Sequence, residues 1–190
     1  MQKYVELLNQ IVADPQYQEN LDWGQPREGH PEGSIRAHIE ELEGNLDALS
    51  SLLTDDEQSK LRVLVHTHDT FKPKAKRGVS ISHPKSHASL AREFLSRFCH
   101  DQELLNIVQF HDEPYAIWKK HKQGGAISDR YLALLRTIQD WDLFLAFLLI
   151  DGCTDGKSTE PIEWFFCELD DEIKSKVNLH WLKLLANQMG

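Results

Sequence analysis

The stretch Leu61-Arg62-Val63-Leu64-Val65-His66-Thr67-His68-Asp69 joins an apolar segment directly to two histidines and an aspartate. Leu61, Leu64, Val65 and His68 follow one another at the steps that place side chains on one helix face. Imidazole nitrogens and carboxylate oxygens together suit divalent transition ions, and different helices can supply them. The stretch therefore predicts a buried helix that ends in a candidate metal site.

The helical pattern extends to both sides of this stretch. Before it, His38 lies on an apolar stripe with a three- and four-residue period that reaches about Leu53, so we expect its side chain to face inward. Pro15 closes a short first helix, and a final helix is expected from about Asp170 to Gln188. The intervening helices are each expected to begin at a capping residue or a proline, namely Ser34, Thr54, Ser86, Asp101, Ser128 and Pro161. No segment has the alternation of a strand, and the predicted fold class is all-α, in one domain over 1–190.

Composition limits the functions that the chain can have. It has 190 residues, 41% hydrophobic and 27% charged, with a formal net charge of −9, which argues against a general nucleic-acid binder. Its three cysteines have no CxxC spacing, so a thiolate zinc site is not expected and a reducing cytoplasm is the expected compartment. The longest apolar run, 143–150, is too short to span a membrane, and no membrane partner is expected.

Asp140 is the second residue on which the prediction depends. A single long helix is expected from Ser128 to Ile150, and Asp140 would lie in the middle of its apolar part. A buried carboxylate requires a cation or hydrogen-bond donors, since an unpaired buried ion costs several kcal/mol. A metal ion would compensate it, and pairing with Arg136 one turn earlier is the alternative.

The ordered set His38, His68-Asp69 and Asp140 resembles the motif of the HD domain superfamily of metal-dependent phosphohydrolases. The segment His68-Asp69-Thr70-Phe71-Lys72 resembles the superfamily's His-Asp-x-x-Lys block. This resemblance implies that Lys72 contacts a phosphate or carboxylate. The resemblance to the superfamily covers about 34–150, and it implies an HD helical core with an extra helix before it and a helical extension over 151–190.

Many members of this superfamily have two further histidines that bind a second metal ion or the substrate phosphate. The resemblance assigns these positions to His87 and His111, with His83 as an alternative that would contact the substrate. A Gly-Tyr-Pro motif after the last histidine, typical of cyclic-dinucleotide phosphodiesterases, is absent, which argues against that activity. Asp112 and Glu113 are candidates for proton transfer.

The resemblance implies an enzyme that hydrolyses a small phosphate ester, with a nucleotide as the expected substrate. One or two divalent ions (Mn, Fe, Ni, Co or Zn, with Mg also compatible) would be bound, and Asp69 and Lys72 would act in catalysis. Two alternatives remain: a di-iron oxygenase of the HD fold and a non-catalytic regulatory module that binds metal or nucleotide.

In the loop 23–33, Arg27 and His30 are candidates for substrate contacts. The oligomeric state of the protein is left open.

Overall fold

The computed structural model describes residues 2–169 and 173–186, and the structural statements below refer to these residues. Within them, extended backbone pairs at two isolated bridges, Gly24 with Ser34 and Arg27 with His30, and the all-α prediction is confirmed. The eleven helices of the described ranges are α1 (Gln2–Ala13), α2 (Pro15–Asn20), α3 (Ile35–Leu49), α4 (Asp55–Thr67), α5 (His87–Ser96), α6 (Gln102–Phe110), α7 (Glu113–Lys122), α8 (Ser128–Thr137), α9 (Trp141–Gly152), α10 (Glu160–Glu168) and α11 (Leu179–Ala186).

Four helices begin where the capping pattern predicted. The hydroxyls of Ser34 and Ser86 accept backbone N–H bonds at the starts of α3 and α5, and the Asp101 carboxylate does so for α6. Thr54 and Glu57 form the predicted capping box at the start of α4. These caps satisfy N–H groups that the helix itself leaves unpaired, each stabilising by about 1 kcal/mol.

The centre of the core is α9, in which every residue from Leu143 to Ile150 is buried. It packs against α3, α4 and α10, while α5 packs against α6. Burial of each large apolar side chain stabilises the fold by about 1.5–3 kcal/mol relative to exposure. The carboxyl ends of α4, α6 and α9 carry His68, His111 and Asp151, and these ends meet at one side of the core.

The prediction of one helix from Ser128 to Ile150 is wrong. The helix is interrupted between α8 and α9, where the backbone N–H groups of Gln139 and Asp140 both donate to Glu103 Oε2 at 3.0 Å. Asp140 is the N-cap of α9, and its carboxylate accepts from the Leu143 N–H at 3.0 Å. The apolar periodicity continues on both sides of this interruption, so the sequence pattern does not reveal it. An aspartate between two such segments can either cap a new helix or lie inside a continuous one.

Smaller differences concern helices whose boundaries the sequence misplaced. Pro15 does follow the end of α1, but it also begins the short helix α2, and α7 was not predicted at all. Pro161 lies in the first turn of α10, as expected. The predicted start of the last helix, Asp170, lies outside the described residues, and α11 begins only at Leu179. The division of the chain near residue 150 stays a prediction. None of the helices within the described ranges has the length and apolarity needed to cross a membrane.

Candidate metal centre

Four histidines and three aspartates from different helices converge at one side of the core. His38 lies on α3, His68 and Asp69 follow α4, His87 opens α5, His111 and Asp112 connect α6 to α7, and Asp151 lies in the last turn of α9. They form two groups of potential metal ligands. The first group contains His38, His68 and Asp151, and the second contains Asp69, His87 and His111. Asp112 adjoins the second group, 3.2 Å from His87 Nε2, and Asp69 also faces the first group, 3.8 Å from His38 Nε2.

The two carboxylate oxygens of Asp69 are divided between the two groups. Oδ2 lies 3.4 Å from His68 Nε2 and 3.8 Å from His38 Nε2, whereas Oδ1 lies 3.7 Å from the Nε2 atoms of both His87 and His111. The remaining members are equally close: Asp151 Oδ1 lies 3.1 Å from His38 Nε2, and His87 Nε2 lies 3.3 Å from His111 Nε2. Each oxygen of Asp69 therefore faces a different group of potential metal ligands.

These separations, from 3.1 to 3.8 Å, begin within and slightly exceed the range found for atoms around a shared ion. Metal–ligand bonds of about 2.0–2.2 Å place neighbouring ligand atoms about 3.0–3.6 Å apart. His68 Nε2 and Asp69 Oδ1 are, in addition, buried and without a hydrogen-bond partner within the described part of the chain. A buried polar atom without a partner costs about 1–3 kcal/mol, and a cation would satisfy both atoms. The residues thus fit a metal centre of one or two ions.

Two of the imidazole rings are oriented for metal binding by backbone carbonyls. His111 Nδ1–H donates to the Val108 carbonyl at 2.8 Å, and His68 Nδ1–H donates to the carbonyls of Val65 and Leu64 at 3.1 and 3.2 Å. A carbonyl can only accept, so Nδ1 carries a proton in both rings and Nε2 is the atom directed toward the centre, where a metal ion would take the place of any proton on it. This arrangement is typical of metal-binding histidines.

The carboxylates of the centre are held in their ionised form. Burial alone would raise the pKa of Asp69, but the Lys72 ammonium and the His68 imidazole hold it well below its ordinary value. The pKa of Asp151 is likewise well below its ordinary value despite burial, because Lys157, His38 and His68 surround it. Burial would lower the pKa of His68, but Asp69 and Asp151 raise it to about 10. The carboxylates are therefore ionised at neutral pH, and metal binding would displace the proton that His68 Nε2 carries between them.

The centre opens into a cavity of about 640 Å³, a size typical of small-molecule sites. Two lysines line it beside the carboxylates: Lys72 Nζ pairs with Asp69, and Lys157 Nζ lies 3.0 Å from Asp151 Oδ1. Asp69, Asp112, Asp151 and Glu28 also line the cavity, so its carboxylates outnumber its ammonium groups. Without additional cations this cavity would repel an anionic ligand.

The loop 23–33 places His30 at the cavity. Arg27 and His30 exchange backbone hydrogen bonds of 3.0 and 2.9 Å around a tight turn in which Gly29 has φ +72°. Gly24 lies so close to Gly33 that a Cβ on Gly24 would lie 2.1 Å from the Gly33 carbonyl oxygen. His30 lines the cavity, and its contact with a substrate stays a prediction, whereas Arg27 is exposed and does not line the cavity.

Glu32 connects this loop to the first group. Its Oε1 lies 3.0 Å from His30 Nδ1 and 3.3 Å from His38 Nδ1, and its Oε2 is buried without a hydrogen-bond partner in the described chain. His38 Nδ1 has no hydrogen-bond partner in the described chain, so this contact is electrostatic; the negative charge favours the proton on Nδ1 and leaves Nε2 for a metal ion. Glu32 therefore orients a ligand of the first group.

Replacing Glu32 by Ala is expected to weaken the binding of the metal ion at the first group and to leave the binding of an ion at the second group unchanged. Loss of a partner of this kind lowers metal affinity by about 10–100-fold, and Glu32→Gln should lose less because it keeps an oxygen near His38. Titration calorimetry with Mn²⁺ or Zn²⁺ measures both affinities, and Glu40→Gln, at an exposed position on α3, is the matched control. Unchanged affinity in Glu32→Ala would contradict the role.

Besides Arg27, two predicted site residues lie elsewhere. Asp140 caps α9 and belongs to neither group, because the helix that was expected to carry it into the centre is broken there. His83 lies in the loop before α5, where its Nδ1 accepts from the Lys85 N–H at 3.0 Å, and it does not line the cavity. Glu113, considered for proton transfer, forms a two-point ion pair with Arg130, with hydrogen bonds of 2.6 Å.

Four residues of the centre were not assigned these roles from the sequence: Asp151, Asp112, Glu32 and Lys157. Asp151 had a usable signal, since it directly follows the apolar run ending at Ile150, just as Asp69 follows the apolar part of α4. Asp112 follows His111 and was considered only for proton transfer. Glu32 and Lys157 lie in irregular segments, where no periodicity indicates which way a side chain points.

No family model, curated protein or solved structure that was compared with the chain matches it.

Proposed function

We propose that the protein is a metal-dependent phosphohydrolase that acts on a small phosphate ester. The observation that carries the proposal is the division of the two Asp69 oxygens between two histidine-containing groups at the wall of a cavity. Adjacent sites of this kind recur in phosphatases and nucleases. The resemblance of the His38, His68-Asp69, His87 and His111 series to the HD domain superfamily supports the same function.

The protein's own residues have separable roles in this proposal. The first group with Asp69 Oδ2 would hold one divalent ion, and the second group with Asp69 Oδ1 would hold the other. When bound, the ions would supply positive charge beside the phosphoryl group and lower the pKa of a neighbouring water. Lys72 and Lys157 would contact phosphate oxygens, and His30 would contact the substrate from the opposite loop.

Charge is the physical reason for preferring a phosphorylated substrate. The cavity without ions has more carboxylates than ammonium groups, and two divalent ions would reverse that balance. An anionic group would then be attracted to the end of the cavity at which Lys72 and Lys157 lie. The preference for a nucleotide comes from the superfamily resemblance.

The oxygenase alternative has one favourable observation, the four imidazoles that surround Asp69. A centre rich in histidine and carboxylate also suits iron. Against it, Lys72 and Lys157 line the cavity, and their ammonium groups suit an anionic substrate. A non-catalytic module is the third candidate, and the size of the cavity beside the centre argues against it.

The test is phosphate release by protein purified without an affinity tag or chelator. The metal content is measured by plasma mass spectrometry, and the protein is then assayed with Mn, Fe, Co, Ni, Zn and Mg against a panel of phosphomonoesters. We expect metal-dependent release that falls by more than about a thousandfold in the double variant His68→Ala, Asp69→Ala. Metal-loaded protein that releases no phosphate from any ester would contradict the proposal, and oxygen consumption by the iron form would favour the oxygenase.

A further inference from the structure

Asp151 occupies an unfavourable position for a carboxylate. It lies in the last turn of α9, where the backbone carbonyls have no partner within the helix and carry a partial negative charge. An aspartate at this end is therefore repelled by its own helix. Hydrogen-bond donors from outside α9 offset this repulsion and fix the turn that carries Asp151.

Asn45, on α3, supplies two such donors. Its Nδ2 donates to the carbonyls of Ile150 and Cys153, each at 2.9 Å. Both partners can only accept, so the NH₂ of the amide faces them and both of its hydrogens are used. The two carbonyls lie on either side of Asp151 in the sequence, and the backbone that carries its side chain is thus held at two points.

The helix that carries Asn45 also carries His38, which faces the Asp151 side chain. The two residues lie about two helical turns apart and on the same side of α3. His38 Nε2 lies 3.1 Å from Asp151 Oδ1. The end of α9 is therefore joined to α3 at two places, through the amide of Asn45 and through this pair of potential metal ligands. Because α3 is continuous between them, the bonds of Asn45 fix the separation of the pair.

We propose that Asn45 is a positioning residue, which holds Asp151 at the distance from His38 that a metal ion at the first group requires. The inference rests on the proposed function only for the presence of the metal centre. Lys157 also donates to the Asp151 carbonyl, at 2.8 Å, but its ammonium pairs with the carboxylate and lines the cavity. Asn45 is neutral and does not line the cavity, so its effect on metal binding passes through the backbone at Asp151.

Gln58 provides a matched control, because it forms the same kind of bonds away from the centre. Its Nε2 donates to the carbonyls of Ser50 and Leu53, at 3.1 and 3.3 Å, where the chain leaves α3. Asn45 and Gln58 are both partly buried and neutral, and each joins two carbonyls that lie one turn apart. Substitution of Gln58 therefore shows what the loss of such an amide does to the fold alone.

Two substitutions at Asn45 test the role. Asn45→Leu removes the donors at similar volume, and Asn45→Asp keeps the shape but places a charged oxygen against the two carbonyls. We expect each to lower the affinity for the ion of the first group by about 10–100-fold and to leave the affinity for the ion of the second group unchanged. Gln58→Leu and Gln58→Glu should lower the melting temperature and leave both affinities unchanged. Calorimetric titration of the metal-free full-length chain with Mn²⁺ measures the affinities, and circular dichroism measures folding and melting.

Selective weakening of one ion is the result that a purely structural role would not produce. A wild type that binds both ions and an Asn45→Leu variant that binds them equally well would overturn the inference and leave the metal centre intact. Equal weakening of both ions in the Asn45 variants would also overturn it. A wild type that binds no Mn²⁺ would overturn both the inference and the metal centre of the proposed function.

Discussion

Asp69→Asn is expected to abolish the binding of both metal ions and to lower the rate of phosphate release by more than about a thousandfold. Loss of a residue that only orients a ligand lowers metal affinity or activity by about 10–100-fold. Asp69 is the one residue that faces both groups, with Oδ2 toward His68 and Oδ1 toward His87 and His111. Asparagine keeps the shape of the side chain but loses its charge and offers only one oxygen. Plasma mass spectrometry on the purified variant should find about two ions fewer per chain than in the wild type.

Asp112→Asn provides the graded comparison. Asp112 contacts only the second group, with Oδ2 3.2 Å from His87 Nε2 and Oδ1 3.8 Å from His111 Nε2. We therefore expect this variant to bind the ion of the second group less tightly and to bind the ion of the first group as the wild type does. Circular dichroism checks that both variants fold. Equal metal loss in the two variants would mean that Asp69 does not bridge, and full metal retention in Asp69→Asn would remove the basis of the two-group centre.

The sequence predicted those parts of the molecule that depend on local patterns. Capping residues such as Ser34 and Thr54 determine helix starts through their own hydrogen bonds, so they are visible without the fold. His38 was expected to face inward because it shares the apolar stripe of α3, and it is 4% exposed. His68 and Asp69 were singled out because they end the apolar part of α4.

The remainder depended on tertiary contacts that no local pattern contains. The break before α9 is stabilised by Glu103, which is 37 residues from Asp140 in sequence and accepts from its backbone N–H. Lys157 and Asp151 lie beyond the segment that resembles the HD superfamily, so the resemblance gave them no role. Trp118 belongs to α7, a helix that the sequence did not predict, and it lies beside the cavity only because α7 packs against α10.

The contrast between Asp151→Asn and Asp140→Asn tests whether the structure assigns the last ligand correctly. Asp151 Oδ1 lies 3.1 Å from His38 Nε2 and 3.6 Å from His68 Nε2, so it faces the first group directly. Asp151→Asn should therefore lose about one ion per chain and most of the phosphate release, because a neutral amide binds a divalent ion far less strongly than a carboxylate.

Asp140→Asn should keep both ions and the activity. Its carboxylate accepts from the Leu143 N–H, and asparagine caps helices about as well as aspartate, so the free energy of unfolding should change by less than about 0.5 kcal/mol. Metal content and thermal unfolding, measured side by side on the two variants, decide the assignment. The opposite result, with metal lost in Asp140→Asn and kept in Asp151→Asn, would contradict the assignment. The helix would then have to run unbroken through residues 138–140, as the apolar periodicity suggested, and Asp140 would have to face His38.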